Sequence, residues 1–120
     1  MSYFEAAQKP ADETIYHVYN RAVKSRIADE VVVATDDERI RKCVDDFGGR
    51  VVMTSVRHQT GTDRIAEVAE KSDSEIIVNV QGDEPLLDPE MISQVVRPLF
   101  DNRTVNVVTL AGRISNPADF

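Results

Sequence analysis

Short runs of β-branched residues alternate with helix-patterned stretches along most of this chain, and that alternation limits the folds it can adopt. The runs are too far apart to be joined as hairpins, so they predict parallel strands connected by right-handed crossovers. We therefore expect an α/β fold with an open, mostly parallel sheet and helices on both faces. The predicted strands are residues 31–34, 51–53, 76–80 and 105–110, and the predicted helices are residues 14–26, a stretch between Asp36 and Gly48, residues 62–71 and a helix that follows Asp88.

Residues with strong positional preferences mark the ends of these helices. Thr35 and Asp36 can cap the second helix, and Gly48 can end it by adopting a positive φ. Asp88 is the predicted N-cap of the last helix, because Pro89 suits the first helical position.

Composition narrows the partners that the chain can have. Its 120 residues fit one domain, and its net charge of -7, with scattered basic residues, argues against nucleic acid. A phosphorylated substrate would then need a divalent cation or local donors. The single cysteine, Cys43, cannot form an intramolecular disulfide, and we find no signal peptide or transmembrane run, so we expect a cytoplasmic protein with no membrane partner.

The loop after the strand at residues 76–80 reads Gln81-Gly82-Asp83-Glu84-Pro85. Ligands of open α/β sheets bind beyond the carboxyl ends of the strands, and Mg²⁺ needs few protein carboxylates. Asp83 is thus placed like a magnesium ligand. The alternative is that Asp83 and Glu84 only form a turn that Pro85 stiffens.

A second loop, residues 55–64, combines hydrogen-bond donors, a glycine and two arginines next to a helix N-terminus, where anions are favoured. This pattern is typical of a loop that contacts a nucleotide. The alternative is a simple helix cap at Thr62, with Asp63 favourable to the dipole and Arg64 solvated. We assign no function to His17, which has no metal-ligating neighbour at a suitable spacing.

Residues 15–120 closely resemble the bacterial 3-deoxy-manno-octulosonate cytidylyltransferases, the CMP-Kdo synthetases of lipopolysaccharide biosynthesis. Three segments carry the resemblance: Val-Ala-Thr-Asp at residues 33–36, His-Gln-Thr-Gly-Thr-Asp-Arg at residues 58–64, and Ile-Val-Asn-Val-Gln-Gly-Asp-Glu-Pro at residues 77–85. Their order and spacing make a chance match remote.

The resemblance implies a nucleotide-diphospho-sugar transferase-like fold and a reaction between CTP and the sugar acid Kdo. An oxygen of Kdo would attack the α-phosphate of CTP, releasing pyrophosphate and forming CMP-Kdo, with Mg²⁺ neutralising the developing charge. Carried over by position, Asp83 would be the catalytic metal ligand and Gln81 a nucleotide or sugar contact. Four further residues would lie near the cytidine: His58, Gly61, Thr62 and Arg64.

The chain also departs from this family. Members normally open with a strand and a Pro-Ala-Arg, Ser-Thr-Arg-Leu-Pro-Gly-Lys-Pro type of loop that holds the triphosphate, whereas residues 1–13 offer only Lys9-Pro10. We interpret residues 1–120 as a single partial α/β nucleotidyltransferase domain with an incomplete sheet, an atypical segment at 1–13 and no counterpart of the family's later half. We therefore expect no cytidylyltransferase activity from the chain alone.

The absent opening strand would lie between the strands at 31–34 and 76–80. Its loss predicts an open slot, and hence self-association as a homo-oligomer or weak stability. Two other functions remain open: a non-catalytic module of the same fold that self-associates or binds nucleotide weakly, and a sialic-acid cytidylyltransferase.

Overall fold

The computed structural model describes residues 2–5, 12–81, 87–111 and 118, and shows a parallel four-stranded sheet flanked by helices. This arrangement confirms the predicted α/β class. The elements are β1 (Ser2–Glu5), α1 (Asp12–Lys24), β2 (Val31–Thr35), α2 (Glu38–Asp46), β3 (Val51–Met53), α3 (Gly61–Ala69), β4 (Val78–Gln81) and α4 (Pro89–Asp101).

The sheet has the order β3-β2-β1-β4, so the first strand of the chain lies in its interior. Ser2 pairs with Val31 on one side and with Val78 on the other, and both pairings are parallel. The expectation of an open slot between the strands at 31–34 and 76–80 is therefore wrong, because β1 fills that position. Self-association stays a prediction, but an empty slot is no longer a reason for it.

The predicted strand at residues 105–110 is also wrong, since the structure assigns no strand to this segment. Val107 is 86% exposed, although the segment is rich in β-branched residues. Strand propensity is realised only when a neighbouring strand accepts the backbone hydrogen bonds and packs on the side chains. Among the described residues, nothing pairs with residues 105–110 in this way.

The two faces of the sheet carry separate apolar cores. One face packs Val31, Val33, Val78 and Val80 against α1, α2 and α4. On the other face, Val32 and Ala34 pack against Ile65 and Val68 of α3. The five residues of β2 are all buried because helices cover both of its faces, as the uninterrupted apolar run predicts.

Helix ends follow local chemistry, with small shifts from the predicted positions. Asp37, rather than Thr35 or Asp36, caps α2 by accepting the Arg39 N–H. Gly48 has φ +78°, which confirms its predicted conformation after α2. Asp88 caps α4 as predicted, since its Oδ1 accepts the Glu90 N–H at 2.9 Å.

Candidate functional site at the carboxyl edge of the sheet

The carboxyl ends of the strands bring the predicted site segments to one edge of the sheet. The strand order reverses at β1, and ligand crevices form beyond the carboxyl ends of strands at such a point. Ala34 and Gln81 stand in one row across the sheet, because each pairs with Glu5 of β1. With strands about 4.8 Å apart, Gln81 lies about 10 Å from Ala34.

Gln81 belongs to the face of the sheet that α3 covers. Side chains alternate along a strand, and Val78 and Val80 belong to the core on the opposite face. Gln81 is half-buried, and its amide nitrogen donates to Asn79 Oδ1 at 3.4 Å. The N-terminus of α3 and Gln81 therefore lie on the same face of the sheet, near its carboxyl edge.

Arg64 is buried within this edge and ties two loops together. Its residue is 8% exposed, and Nη1 donates to Thr54 Oγ1 at 2.5 Å and to the Ser55 carbonyl oxygen at 3.4 Å. Nη2 donates to Asp36 Oδ2 at 3.2 Å. The loop after β2 is thus fastened to the loop after β3 through one guanidinium group, and Arg64 is not the solvated residue of the simple-cap interpretation.

Glu67, one turn further along α3, holds the same loop at Ser55 and His58. Its Oε1 accepts the Ser55 N–H at 3.1 Å and contacts His58 Nε2 at 3.0 Å. The hydrogen bond from His58 lowers the pKa of the Glu67 carboxyl, and the bond from the Ser55 N–H lowers it further by a smaller amount. The carboxylate is accordingly ionised at neutral pH.

The structure places the remaining predicted site residues in different ways. Gly61 is the first residue of α3, and Thr62 is exposed in its first turn. The cap of this helix is Thr60, whose Oγ1 accepts the Asp63 N–H at 3.1 Å, and not Thr62. Asp83 lies outside the described residues, so its predicted function as a metal ligand stays a prediction.

Three of the described carboxylates at this edge are already engaged by protein donors. Asp36 binds Arg64, Asp37 accepts from Arg39, and Glu67 contacts His58. Within the described ranges, His, Cys, Asp and Glu side chains form no group of three that could hold a metal ion. The predicted magnesium ligand therefore stays Asp83, which lies outside the described residues.

A cavity of about 750 Å³ lies at the opposite, amino-terminal edge and is lined by residues such as Ile27, Asp73 and Phe100. Substrates of open α/β sheets bind at the carboxyl ends of the strands instead. We therefore assign the candidate site by its position in the fold and its polar groups, and not by the size of this cavity.

Sequence reasoning missed Glu67 and the tie between Asp36 and Arg64. A signal for both was present in the helical spacing of α3. Arg64 precedes the buried Val68 by four residues, so the two share the inward face of the helix, and Glu67 follows Arg64 by three. A charged residue on an apolar helix face needs a partner, and Asp36 at the end of a neighbouring strand supplies it.

An open parallel sheet with polar side chains gathered beyond its carboxyl edge is typical of α/β proteins that bind their ligands at that edge. Comparisons with known proteins narrow this class. The sequence profile of the family described as Cytidylyltransferase matches residues 12–119. The chain therefore belongs to the cytidylyltransferase family.

Named relatives agree with the resemblance that the sequence motifs carried. A 3-deoxy-manno-octulosonate cytidylyltransferase of Geobacter sulfurreducens is 56% identical over 106 residues, which are 88% of this chain and 42% of that protein. One of the same name from Geotalea daltonii is 53% identical over 114 residues, 95% of this chain and 45% of that protein. The chain thus spans less than half the length of the curated relatives it matches.

Solved structures support the fold. A CMP:2-keto-3-deoxy-manno-octonic acid synthetase complexed with CTP matches with a TM-score of 0.81 and 32% identity, covering 88% of this chain and 48% of that chain. A nucleotidyl transferase from Methanothermobacter thermautotroptrophicus, 16% identical with a TM-score of 0.64, shares the fold alone. These findings confirm the predicted family and favour it over a non-catalytic module. No described helix is long and apolar enough to cross a membrane.

Proposed function

We propose that this chain carries the nucleotide-binding part of a CMP-Kdo synthetase, which transfers CMP from CTP to 3-deoxy-manno-octulosonate and releases pyrophosphate. The observation that carries the proposal is the 56% identity to a curated 3-deoxy-manno-octulosonate cytidylyltransferase over 88% of this chain. The similar synthetase structure is complexed with CTP, which supports CTP as the nucleotide. The reaction would take place in the cytoplasm, as a step of lipopolysaccharide biosynthesis.

The geometry of the carboxyl edge suits this reaction. Nucleotidyl transfer depends on in-line positioning and on donors that stabilise developing charge, and it needs no covalent nucleophile. The loop at residues 54–60 is held by Arg64 and Glu67, and Gln81 ends β4 at the same edge of the sheet. In our proposal the loop contacts the cytidine and Gln81 contacts the nucleotide or the sugar.

Magnesium is part of the proposal, with Asp83 as its protein ligand. A bound Mg²⁺ would neutralise the charge that develops on the phosphate oxygens. Among the described residues no group of three His, Cys, Asp and Glu side chains could hold the ion, so the proposal places it at Asp83.

Calorimetric titration of the purified chain with CTP, UTP and ATP in the presence of Mg²⁺ tests the proposal. Because residues 1–13 offer no recognisable triphosphate loop, we expect all three nucleotides to bind weakly, with CTP binding more tightly than the other two. Replacement Gln81→Ala should weaken CTP binding, whereas Gln94→Ala, an exposed position on α4, serves as the matched control. Equal affinity for the three nucleotides, or no binding of CTP, would contradict the proposal.

A pyrophosphate-release assay with CTP and either Kdo or sialic acid tests the acceptor. We expect Kdo to be the preferred sugar acid wherever turnover is seen. The chain alone is expected to show no turnover, and formation of CMP-Kdo by the purified 120-residue chain would refute that expectation while supporting the assigned reaction.

A further inference from the structure

The contact between Glu67 and His58 fixes which imidazole nitrogen carries the proton. An ionised carboxylate only accepts hydrogen bonds, so the Nε2 atom that lies 3.0 Å from Glu67 Oε1 has to donate. In a neutral imidazole with Nε2 protonated, Nδ1 is an acceptor. The contact with Glu67 therefore leaves Nδ1 as the acceptor of a neutral His58 ring.

The same carboxylate oxygen also fixes where this ring stands. Side chains on a helix lean toward its N-terminus, so Glu67 reaches back over the loop that precedes α3. By accepting the Ser55 N–H as well as the His58 proton, Oε1 bridges two loop residues three positions apart. The loop gains a further bond from the Arg57 N–H to Ser55 Oγ, at 3.1 Å. The ring is thus both oriented and restricted to one tautomer.

An acceptor at this position has a consequence for base selection. Cytosine carries an exocyclic amino group, which donates, where uracil carries a carbonyl oxygen, which accepts. The two bases are otherwise nearly the same size, so a hydrogen bond at this atom can separate them where shape cannot. An imidazole acceptor matches cytosine and opposes the lone pairs of uracil.

We propose that His58, locked by Glu67 as the Nε2-protonated tautomer, is a specificity-determining residue that selects cytidine over uridine nucleotides. His58 touches the base through Nδ1, and Glu67 acts through His58 as a positioning residue. The inference rests on the proposed function, because it requires CTP to bind at the carboxyl edge. It adds the group that distinguishes CTP from UTP.

The first test reads the tautomer without any nucleotide. Nitrogen-15 spectra of the imidazoles at alkaline pH report which nitrogen is protonated, and His17, the other histidine of the chain, is an internal reference. We expect Nε2-protonated His58 in the native chain and a mixture of tautomers in Glu67→Gln, whose amide can donate as well as accept. Glu70→Gln removes the same charge one turn further along and should leave His58 unchanged. A mixture of tautomers in the native chain would overturn the proposal.

The second test measures affinity for CTP and UTP by calorimetry in the same variants. The native chain and Glu70→Gln should prefer CTP by at least about tenfold, as expected for one discriminating hydrogen bond. In Glu67→Gln the preference should fall by several-fold, chiefly through tighter UTP binding, because the ring can now present a donor. A general loss of affinity for both nucleotides with an unchanged ratio would show that Glu67 only stabilises the loop.

The two measurements separate the inference from the function on which it rests. If the native tautomer is as expected and CTP binds, but Glu67→Gln leaves the CTP to UTP ratio unchanged, the specificity inference is wrong and the proposed function stands. If CTP does not bind to the native chain, both are wrong. Retention of the ratio in His58→Ala would likewise exclude His58 as the discriminating group, while His58→Gln, which introduces an amide oxygen that can accept, should preserve part of it.

Discussion

Replacement of Arg64 by methionine should be far more destabilising than the same replacement at Arg39. The two residues form a matched pair, since each binds an aspartate that closely follows β2, namely Asp36 for Arg64 and Asp37 for Arg39. They differ in burial: the Arg64 side chain is 10% exposed and the Arg39 side chain 70%. The comparison therefore measures burial together with the bonds that Arg64 also makes to Thr54 and Ser55.

The expected change in the free energy of unfolding for Arg64→Met follows from the hydrogen bonds that methionine cannot make. Arg64→Met removes the bonds to Thr54 and Asp36, each worth about 1.5–3 kcal/mol for a charged donor, while the 3.4 Å contact to Ser55 adds little. Relief of the buried charge offsets part of this loss, and Asp36, which is 33% exposed, can regain water. We expect a net loss of about 2–3 kcal/mol in the free energy of unfolding for Arg64→Met. At Arg39, a surface pair predicts a loss below about 1 kcal/mol.

Urea unfolding followed by far-UV circular dichroism gives both free energies under one set of conditions. A double-mutant cycle with Asp36→Asn then isolates the Arg64–Asp36 coupling, which should be favourable because the two side chains are in contact. Equal losses for Arg64→Met and Arg39→Met would refute the reasoning, since burial would then contribute nothing. A coupling of zero would locate the effect at Thr54 instead.

Three further predictions concern single positions. Gly49→Ala should lower the free energy of unfolding in urea more than Gly48→Ala, because an added Cβ at Gly49 would stand 2.6 Å from Phe47 Cε1. At Gly48, which has φ +78°, the added Cβ meets nothing within 4 Å, and only the backbone is strained, by about 1 kcal/mol. Equal losses for the two variants would contradict this prediction. Asp88→Ala should lower the free energy of unfolding by about 1 kcal/mol through loss of the α4 cap, and Asp88→Asn should retain most of it. Because the pKa of Glu67 is lowered in the folded state, its ionised carboxylate stabilises the fold above the unfolded pKa of 4.5, and this stabilisation is lost as pH falls through the folded pKa. The difference in the free energy of unfolding between the native chain and Glu67→Gln should therefore shrink below pH 4.5. A difference that stays constant with pH would refute this prediction.

The periodicity of apolar residues in the sequence was sufficient to predict the elements whose burial pattern is visible within the element itself. The apolar spacing of α1 and the buried run of β2 predicted both elements to within a few residues, because amphipathic and fully buried patterns are direct records of packing. The caps at Asp88 and Gly48 were equally readable, since each depends on one residue type.

Elements that depend on distant partners could not be predicted in this way. Ser2–Glu5 is only four residues long, and it becomes a strand by pairing with β2 and β4, which follow it by about 30 and 75 positions. The opposite error arose at residues 105–110, where strand propensity is high but the described residues offer no partner. Local propensity thus proved too weak in the first case and too strong in the second.

The candidate site shows the same limit at the level of side chains. The motif at residues 58–64 was readable as a site, but the partners of its members were not, since Asp36 lies 28 positions from Arg64. The contact between Asp36 and Arg64 forms because β2 and β3 are neighbours in the sheet, and this neighbourhood is not visible in the local sequence. The parallel sheet, and not the motif, decides that Arg64 faces a carboxylate.

The pairing of Arg64 has a consequence for how the crevice can hold a triphosphate. The Arg64 guanidinium already forms an ion pair with Asp36, so it offers little net attraction to a nucleotide. The chain as a whole also carries a net charge of -7, which repels a triphosphate. Arg64 and Glu67 together give the β3–α3 loop its shape before any ligand arrives, which lowers the ordering cost of binding. In the proposed function, the α3 side would supply a preformed surface for the base, and the attraction for phosphate would have to come from other groups, such as the Mg²⁺ proposed at Asp83.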